Sequence, residues 1–361
     1  MVNPYALAWP VLRRMEAEDA HNLAIKALKT GLVAPLFGGS KPDPASLKTT
    51  LWGRCFPNPI GVGAGFDKNA EVAPALARLG FGFVEVGTVT PRPQPGNPKP
   101  RLFRLTADQA VINRMGFNNA GMEAMAAHLQ TAAPRVAPAI LGVNVGRNKD
   151  TTDDASDYAK TIHRLARYAD YLTINVSSPN TPGLRALQGR EPLTELIRRA
   201  REALAEAPLP AERTMPPLLL KIAPDLVEAD LADIAAVALD EGLDGLICTN
   251  TTISRPDSLS DPQKGETGGL SGAPLTDMAL QVLRRVYQLT EGRLPLIGVG
   301  GIGSGAEAYA RIRAGASLVQ IYSALVYGGP GLVGQVKTDL AALLARDGFA
   351  TVSEAVGVDA N

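Results

Sequence analysis

Eight times between residues 59 and 325 the chain returns to one pattern: a short apolar run rich in β-branched residues, a polar or glycine-bearing turn, and a segment of helical period. The runs are PIGVGAG (59–65), FVEVGTV (83–89), AILGVNVG (139–146), YLTINVS (171–177), PLLLKIAP (217–224), GLICTNT (245–251), PLIGVGGI (295–302) and LVQIYSAL (318–325). Strands this continuously hydrophobic are buried on both faces, as parallel strands covered by helices are. The pattern predicts an α/β fold, a closed (β/α)8 TIM barrel, with a doubly wound open sheet as the structural alternative. The stretch LKTTLWGRCF (47–56) predicts a hairpin ahead of the first barrel strand, placed to plug the barrel's bottom. Two units follow: an N-terminal extension over 1–40 and the barrel domain over 41–361.

In such barrels chemistry sits at the C-terminal ends of the strands. The residues ending the runs are Ala64, Gly65, Asp67 and Lys68; Gly87 and Thr88; Asn144; Asn175, Ser177 and Ser178; Lys221; Thr249, Asn250 and Thr251; Gly300 and Gly301; Tyr322 and Ser323. This rim is rich in amides and hydroxyls and poor in carboxylates. Paired-carboxylate chemistry has no source there beyond Asp67. Ser-His-Asp hydrolysis has no histidine near a strand end, because His128 and His163 fall inside helical segments. Three scattered histidines and two cysteines, Cys55 and Cys248, offer no metal spacing and no disulfide framework. The 36 basic residues balance 36 acidic ones, so the electrostatic footprint of a nucleic-acid binder is missing.

A single asparagine at a strand end is usually a turn residue. Asn144, Asn175 and Asn250 on three strands of one rim, with Asn113 and Asn180 on loops, instead suit a planar neutral ring that needs many hydrogen bonds. Lys221 lies inside LLLKIAP, where an unpaired cation is costly to bury. It either snorkels or pairs with a structural acid, or it faces an electron-rich ligand, and a reduced flavin fits. The glycine-rich turn GVGGIGSGAEA (298–308) and the turn at YSALVYGGPG (322–331) follow strands seven and eight, where these barrels commonly bind phosphate.

The motifs GVGAGFDKNA, VGTVTPRPQPGNPKPRLFRL, INRMGFNN, INVSSPNTPGLR, LLLKIAPDL, CTNTT, GGLSGAPL, GVGGI and QIYSAL occur in that order over nearly the whole chain. In this set the chain resembles the class 2, quinone-dependent dihydroorotate dehydrogenases. The resemblance implies an FMN enzyme of pyrimidine synthesis that oxidises dihydroorotate to orotate and reduces ubiquinone or menaquinone. It puts Ala64, Gly65, Thr88, Asn144, Asn175, Lys221, Thr249, Gly272, Gly301, Tyr322 and Ser323 on FMN. It puts Lys68, Asn113, Arg114, Met115, Gly116, Phe117, Asn175, Asn180, Asn250 and Thr251 on the substrate. Ser178 matches the position that removes the C5 proton. Class 1 relatives carry cysteine there, so SSPN favours class 2. A free serine is a poor base, and Thr181 with an ordered water is the expected proton relay, beneath a loop (178–190) that closes over the substrate.

The first forty residues read as two short helices. In the second, Ala20, Leu23, Ala24, Ala27 and Leu28 share one face, with Arg13, Arg14, Lys26 and Lys29 nearby. Such a segment either lies on a membrane surface or packs on the barrel. The resemblance favours the membrane and implies a quinone tunnel lined by His21, Arg104 and Tyr322. No signal-peptide core, transit-peptide composition or run of about 18 apolar residues occurs. The expectation is a monomer held peripherally on the cytoplasmic side of a bacterial inner membrane. Two rivals predict other outcomes: a different FMN barrel oxidoreductase, or a non-catalytic phosphate-binding barrel that docks on membranes. The loop 254–269 suits either a wall of the site or a free surface loop.

Overall fold

The computed structural model describes residues 4–37 and 42–360. The eight runs form eight strands: β1 (Ile60–Val62), β2 (Phe83–Val89), β3 (Ile140–Val145), β4 (Tyr171–Asn175), β5 (Leu218–Ile222), β6 (Gly245–Cys248), β7 (Leu296–Val299) and β8 (Ala316–Ile321). Each pairs in parallel with its sequence neighbours, and β8 pairs with β1 to close the barrel. Closure leaves no edge strand, so every run can be apolar on both faces. The outward residues pack under helices whose apolar positions recur at helical spacing. In Arg190–Ala205 the buried set is Leu193, Leu196, Ile197, Ala200 and Leu204.

The hairpin Thr49–Leu51/Arg54–Phe56 closes the bottom as expected. Phe56 is fully buried against Phe83, Tyr171, Leu219, Ile247, Ile297 and Leu318, the lowest inward side chains of the barrel. Trp52 packs 6.1 Å from Phe56 and 6.3 Å from Tyr171, ring centre to ring centre. Phe56→Ala opens a cavity there with little room to collapse, and urea unfolding should show a loss of about 3–5 kcal/mol. The catalytic mouth, at the other end of the strands, should keep its ligand affinities.

Two features go beyond the sequence expectation. Strands Leu102–Leu105, Ala110–Asn113 and Gly269–Gly272 form an antiparallel sheet. Strand alternation splits its first strand: Phe103 and Leu105 join Ala110, Ile112, Leu259 and Leu270 in a small core, while Leu102 and Arg104 face a large cavity. The loop 254–269 is built onto this sheet. Leu259 enters its core, Asp108 accepts hydrogen bonds from Ser260 and Asp261 amides at 2.9 and 3.0 Å, and Arg255 donates to the Glu266 and Gly268 carbonyls. It therefore backs the sheet and is not itself a wall of the cavity.

The N-terminal extension holds α1 (Pro4–Leu12), α2 (Ala17–Lys29) and a further turn of helix, α3 (Val33–Leu36). A buried bidentate pair fastens α2 to the barrel: Arg101 Nε and Nη2 donate to the Glu18 carboxylate at 3.0 and 2.7 Å. Arg104 donates to the carbonyls of Leu12 at 2.8 Å and of Met15, holding the α1–α2 turn. Leu28 and Ala34 are buried in the main core. Ala20, Leu23, Ala24, Ala27 and Leu28, the apolar face of α2, line the cavity. The apolar side chains most open to solvent are Leu7 at 72%, Leu32 at 70%, Leu36 at 65% and Val11 at 64%, and Leu23 of the α2 face is itself 45% exposed. No helix among the described residues is long and apolar enough to cross a membrane.

Candidate active site

A cavity of about 1060 Å3 runs from the C-terminal mouth of the barrel to the three N-terminal helices. Of the residues singled out in the sequence, all those named for cofactor and substrate line it except Asn144 and Arg114. Asn144 is fully buried just behind the wall. The Arg114 side chain instead stacks over Phe103 at 4.5 Å and pairs with Glu266 at 2.6 Å.

The predicted amide cluster is one hydrogen-bonded layer across β2, β3, β4 and β6. Thr88 Oγ1 donates to Asn144 Oδ1 at 2.6 Å, and Asn175 Nδ2 donates to Thr88 Oγ1 at 2.9 Å and to Asn144 Oδ1 at 3.2 Å. Ser177, on the same face of β4 as Asn175, donates to Asn175 Oδ1 at 3.0 Å and accepts from Asn250 Nδ2 at 3.0 Å. A chain of this kind fixes each amide's orientation and presents a rigid polar surface. Gly87 makes the layer possible. At φ +106° it brings β2 so close to β3 that a Cβ would lie 2.3 Å from the Asn144 carbonyl oxygen.

Two lysines face the cavity. Lys221, between Asn175 on β4 and Ile247 on β6, is buried and has neither a hydrogen-bond nor an ion-pair partner among the described residues. Burial lowers its pKa, and the charge of Glu85 opposes that shift. Lys68 Nζ donates to the Gly65 carbonyl at 3.0 Å. It lines the open space yet is shielded from bulk water, and this burial, with Arg101 adding repulsion against attraction from Glu18 and Asp67, pushes its pKa down to about 8. The neighbouring acid on the rim, Asp67, plays no such part: its carboxylate caps the Glu71 and Val72 amides at 2.8 Å each. A group whose pKa is lowered loses its charge as pH rises through that value. An anionic substrate that pairs with Lys68 should therefore bind with constant KM at pH 6–7 and rising KM above about pH 8, and Lys68→Met should abolish this dependence.

Ser178 is buried at the start of the loop after β4, where its Oγ accepts from the Asn180 amide at 3.3 Å. Asn180 Nδ2 donates to Asn113 Oδ1 at 3.1 Å, joining this loop to the small sheet. Thr181 is buried too, but outside the cavity wall, and its hydroxyl does not bond that of Ser178. A relay between them would need an intervening group such as a water. Arg185 anchors the loop by donating to the Ser177 carbonyl at 3.0 Å, the Thr251 carbonyl at 2.8 Å and the Asp225 carboxylate at 2.8 Å.

On the far wall Gly300 (φ +113°) and Gly301 (φ +70°) turn the chain beside Thr276, where a Cβ on Gly301 would come within 2.1 Å of the hydroxyl. Gly272 and Ser323 lie beside this turn, and the Ser323 and Ser271 hydroxyls are 2.7 Å apart. The start of the next helix, Gly305–Arg313, is less open to an anion than its sequence suggests. Glu307 already accepts from the Gly303 amide at 2.7 Å and the Ser304 hydroxyl at 3.0 Å.

Toward the N-terminal helices, His21 stacks edge-on to Phe66 at 5.3 Å, and Phe66 to Tyr322 at 6.1 Å. Burial and the nearby Lys68 charge lower the His21 pKa to about 4, so it is neutral at pH 7. Arg104 reaches the same end of the cavity. The other two histidines keep to helices, and His128 Nδ1 lies 2.7 Å from the Asn69 carbonyl.

Glu85 lies in the middle of β2, where the strand-end rule does not reach. It is fully buried inside the barrel, where it accepts from Asn144 Nδ2 at 2.8 Å, Tyr171 Oη at 2.9 Å and Gln320 Nε2 at 2.7 Å. An acid in the middle of FVEVGTV was the available signal, since a carboxylate is almost never fully buried unless bonded.

Comparison with known proteins agrees with this geometry. The family described as dihydroorotate dehydrogenase matches residues 46–344. The chain is 66% identical to a dihydroorotate dehydrogenase (quinone) of Rhodospirillum rubrum, over 99% of this chain and 95% of that one. It is 51% identical to a mitochondrial dihydroorotate dehydrogenase (quinone) of Arabidopsis thaliana, over 97% of this chain and 80% of that one. A crystal structure of DHODH from Eimeria tenella in complex with ferulenol superposes with a TM-score of 0.91 at 43% identity, covering 95% of this chain and 96% of that one.

Proposed function

The chain belongs to the dihydroorotate dehydrogenase family and is a quinone-linked member of it, and from that premise we propose that FMN is its flavin and that residues 1–40 bring quinone to it. The observation that carries this reading is the single cavity, with an amide layer and an unpaired lysine at its deep end and apolar helices at its mouth. The residues fit the cofactor. The Thr251 hydroxyl and the Gln320 amide oxygen are buried without partners beside the cavity, and such atoms call for a ligand's hydrogen bonds. Lys221 would meet the electron-rich edge of the isoalloxazine, with Thr88, Asn144, Asn175 and Thr249 around the ring, and Gly272, Gly301 and Ser323 would hold the phosphate. Bound FMN supplies an acceptor for the substrate's hydride and a donor of two electrons to quinone.

The protein's own part is to orient the substrate and take a proton. Lys68 pairs with the dihydroorotate carboxylate, and Asn113, Asn175, Asn180, Asn250 and Thr251 hold the ring, with the 115–117 backbone beside it. Ser178 takes the C5 proton and passes it through water to Thr181. The Asn180 amide, aimed at Ser178 Oγ, stabilises negative charge as it develops there. The loop anchored by Arg185 keeps bulk water out. We place the protein as a monomer at the cytoplasmic face of an inner membrane, touching it through the exposed leucines of α1 and α3.

The test is spectroscopic. The purified protein should be yellow, bleach anaerobically on addition of dihydroorotate, recover colour on addition of quinone, and be inhibited by orotate. Bleaching by a different reductant without any effect of orotate would assign another substrate; a colourless protein that takes up no FMN would refute the flavin.

A further inference from the structure

The barrel's interior carries a carboxylate that the reaction does not use. Glu85 stands one inward position below Gly87 on β2, above the aromatic floor formed by Phe83 and Tyr171. Its three hydrogen-bond donors, on β3, β4 and β8, are all neutral. They satisfy its oxygens without cancelling its charge. The Asn144 amide cannot turn its oxygen to Glu85, because that oxygen already accepts from Thr88 and Asn175. Asn144 joins Glu85 to Asn175, and Lys221 is the register partner of Asn175 on the next strand, so it is the cation on which the Glu85 charge acts. The remaining groups that could titrate inside the barrel are the Tyr171 phenol and the Tyr322 phenol after β8. Burial holds both well above their ordinary values, so both are neutral.

We propose that Glu85 is a positioning residue of the flavin site: a buried counter-ion, held behind the wall, that keeps Lys221 an ammonium facing the cavity and locks Asn144 with its oxygen toward Thr88 and Asn175. The separation matters. A carboxylate in direct contact with Lys221 would occupy the donors that the ligand needs, whereas one set back stabilises the charge and leaves the N–H groups free. This inference rests on the flavin reading given above.

The test is FMN binding to the apo-protein between pH 6 and pH 9, for wild type, Glu85→Gln, Lys221→Met and the double variant. Glu85→Gln should lower the pH at which FMN affinity falls by about one unit, so that binding is nearly normal at pH 6 and about tenfold weaker in the alkaline range. Lys221→Met should remove the pH dependence, and adding Glu85→Gln to it should change affinity less than twofold to threefold. Tyr171→Phe, which removes a neutral donor only, should leave the pH profile in place. A Glu85→Gln loss that is equal at every pH, or fully additive with Lys221→Met, overturns the proposal. Should Glu85→Gln not fold, lysine Nζ NMR of the wild type, assigned with Lys221→Met, decides: an ammonium at pH 8 is expected, and a neutral amine at pH 7 overturns it. Wild-type apo-protein that binds no FMN would sink the flavin reading instead, so the two failures are distinct.

Discussion

Replacing Ser178 with alanine is expected to slow flavin reduction by dihydroorotate about 10²- to 10⁴-fold, the range that a positioned base contributes. Orotate affinity should change little, because the hydrogen bonds to the ring come from the amides. The hydroxyl is a weak base near neutral pH, so its effect depends on surroundings the structure supplies: burial, one backbone amide donating to Oγ, and a loop tied down by Arg185. Thr181→Val should have a smaller effect in the same direction, since Thr181 lies outside the cavity and the proposed relay reaches it only through water. Anaerobic stopped-flow measurement of flavin bleaching separates this step from quinone turnover. A Ser178→Ala rate within a few-fold of wild type would remove the serine from the role of base.

Deleting residues 1–40 should abolish quinone reduction and vesicle binding while leaving FMN and its reduction by dihydroorotate in place. The barrel strands begin at Ile60, so none of the eight is lost. What is lost is the apolar end of the cavity, including Ala20, His21, Ala24 and Leu28, and the solvent-facing leucines beyond it. The Glu18–Arg101 pair goes as well. Taking away one partner of a buried pair usually costs about 3–5 kcal/mol. Here Arg101 regains water when α2 departs, so the barrel should stay folded. Co-sedimentation with anionic vesicles and a quinone-reduction assay give the two readouts. Full quinone turnover by the truncated protein would refute the role given to the extension.

The parts of this protein that were readable in its sequence share a cause. A parallel barrel strand is buried on both faces, so each of the eight wrote itself as an uninterrupted apolar run, and the fold rule then marked its last residues as the rim. Asn144, Asn175, Lys221 and Asn250 stand out that way, and the hairpin was legible in the stretch LKTTLWGRCF. The small antiparallel sheet was not, although LFRL and AVIN alternate, because its third strand, Gly269–Gly272, is distant in sequence and three of its four residues are glycine or serine. Asp67 sits in the turn five residues beyond the end of β1 and serves the backbone, since only the turn's geometry decides where a carboxylate points.

The sequence alone determined the barrel, its eightfold order and the chemical character of its mouth, because these follow from local periodicity and from the direction in which a strand feeds a helix. Tertiary structure decided the rest. It turned the apolar face of α2 toward the cavity, with Leu23 half-exposed at its edge, and left Leu7, Val11, Leu32 and Leu36 largely open to solvent. It seated Glu85 between three neutral donors and opposite Lys221. Those outcomes depend on which side chains from distant segments meet in the folded chain, and neither a hydrophobic pattern nor a motif carries that information.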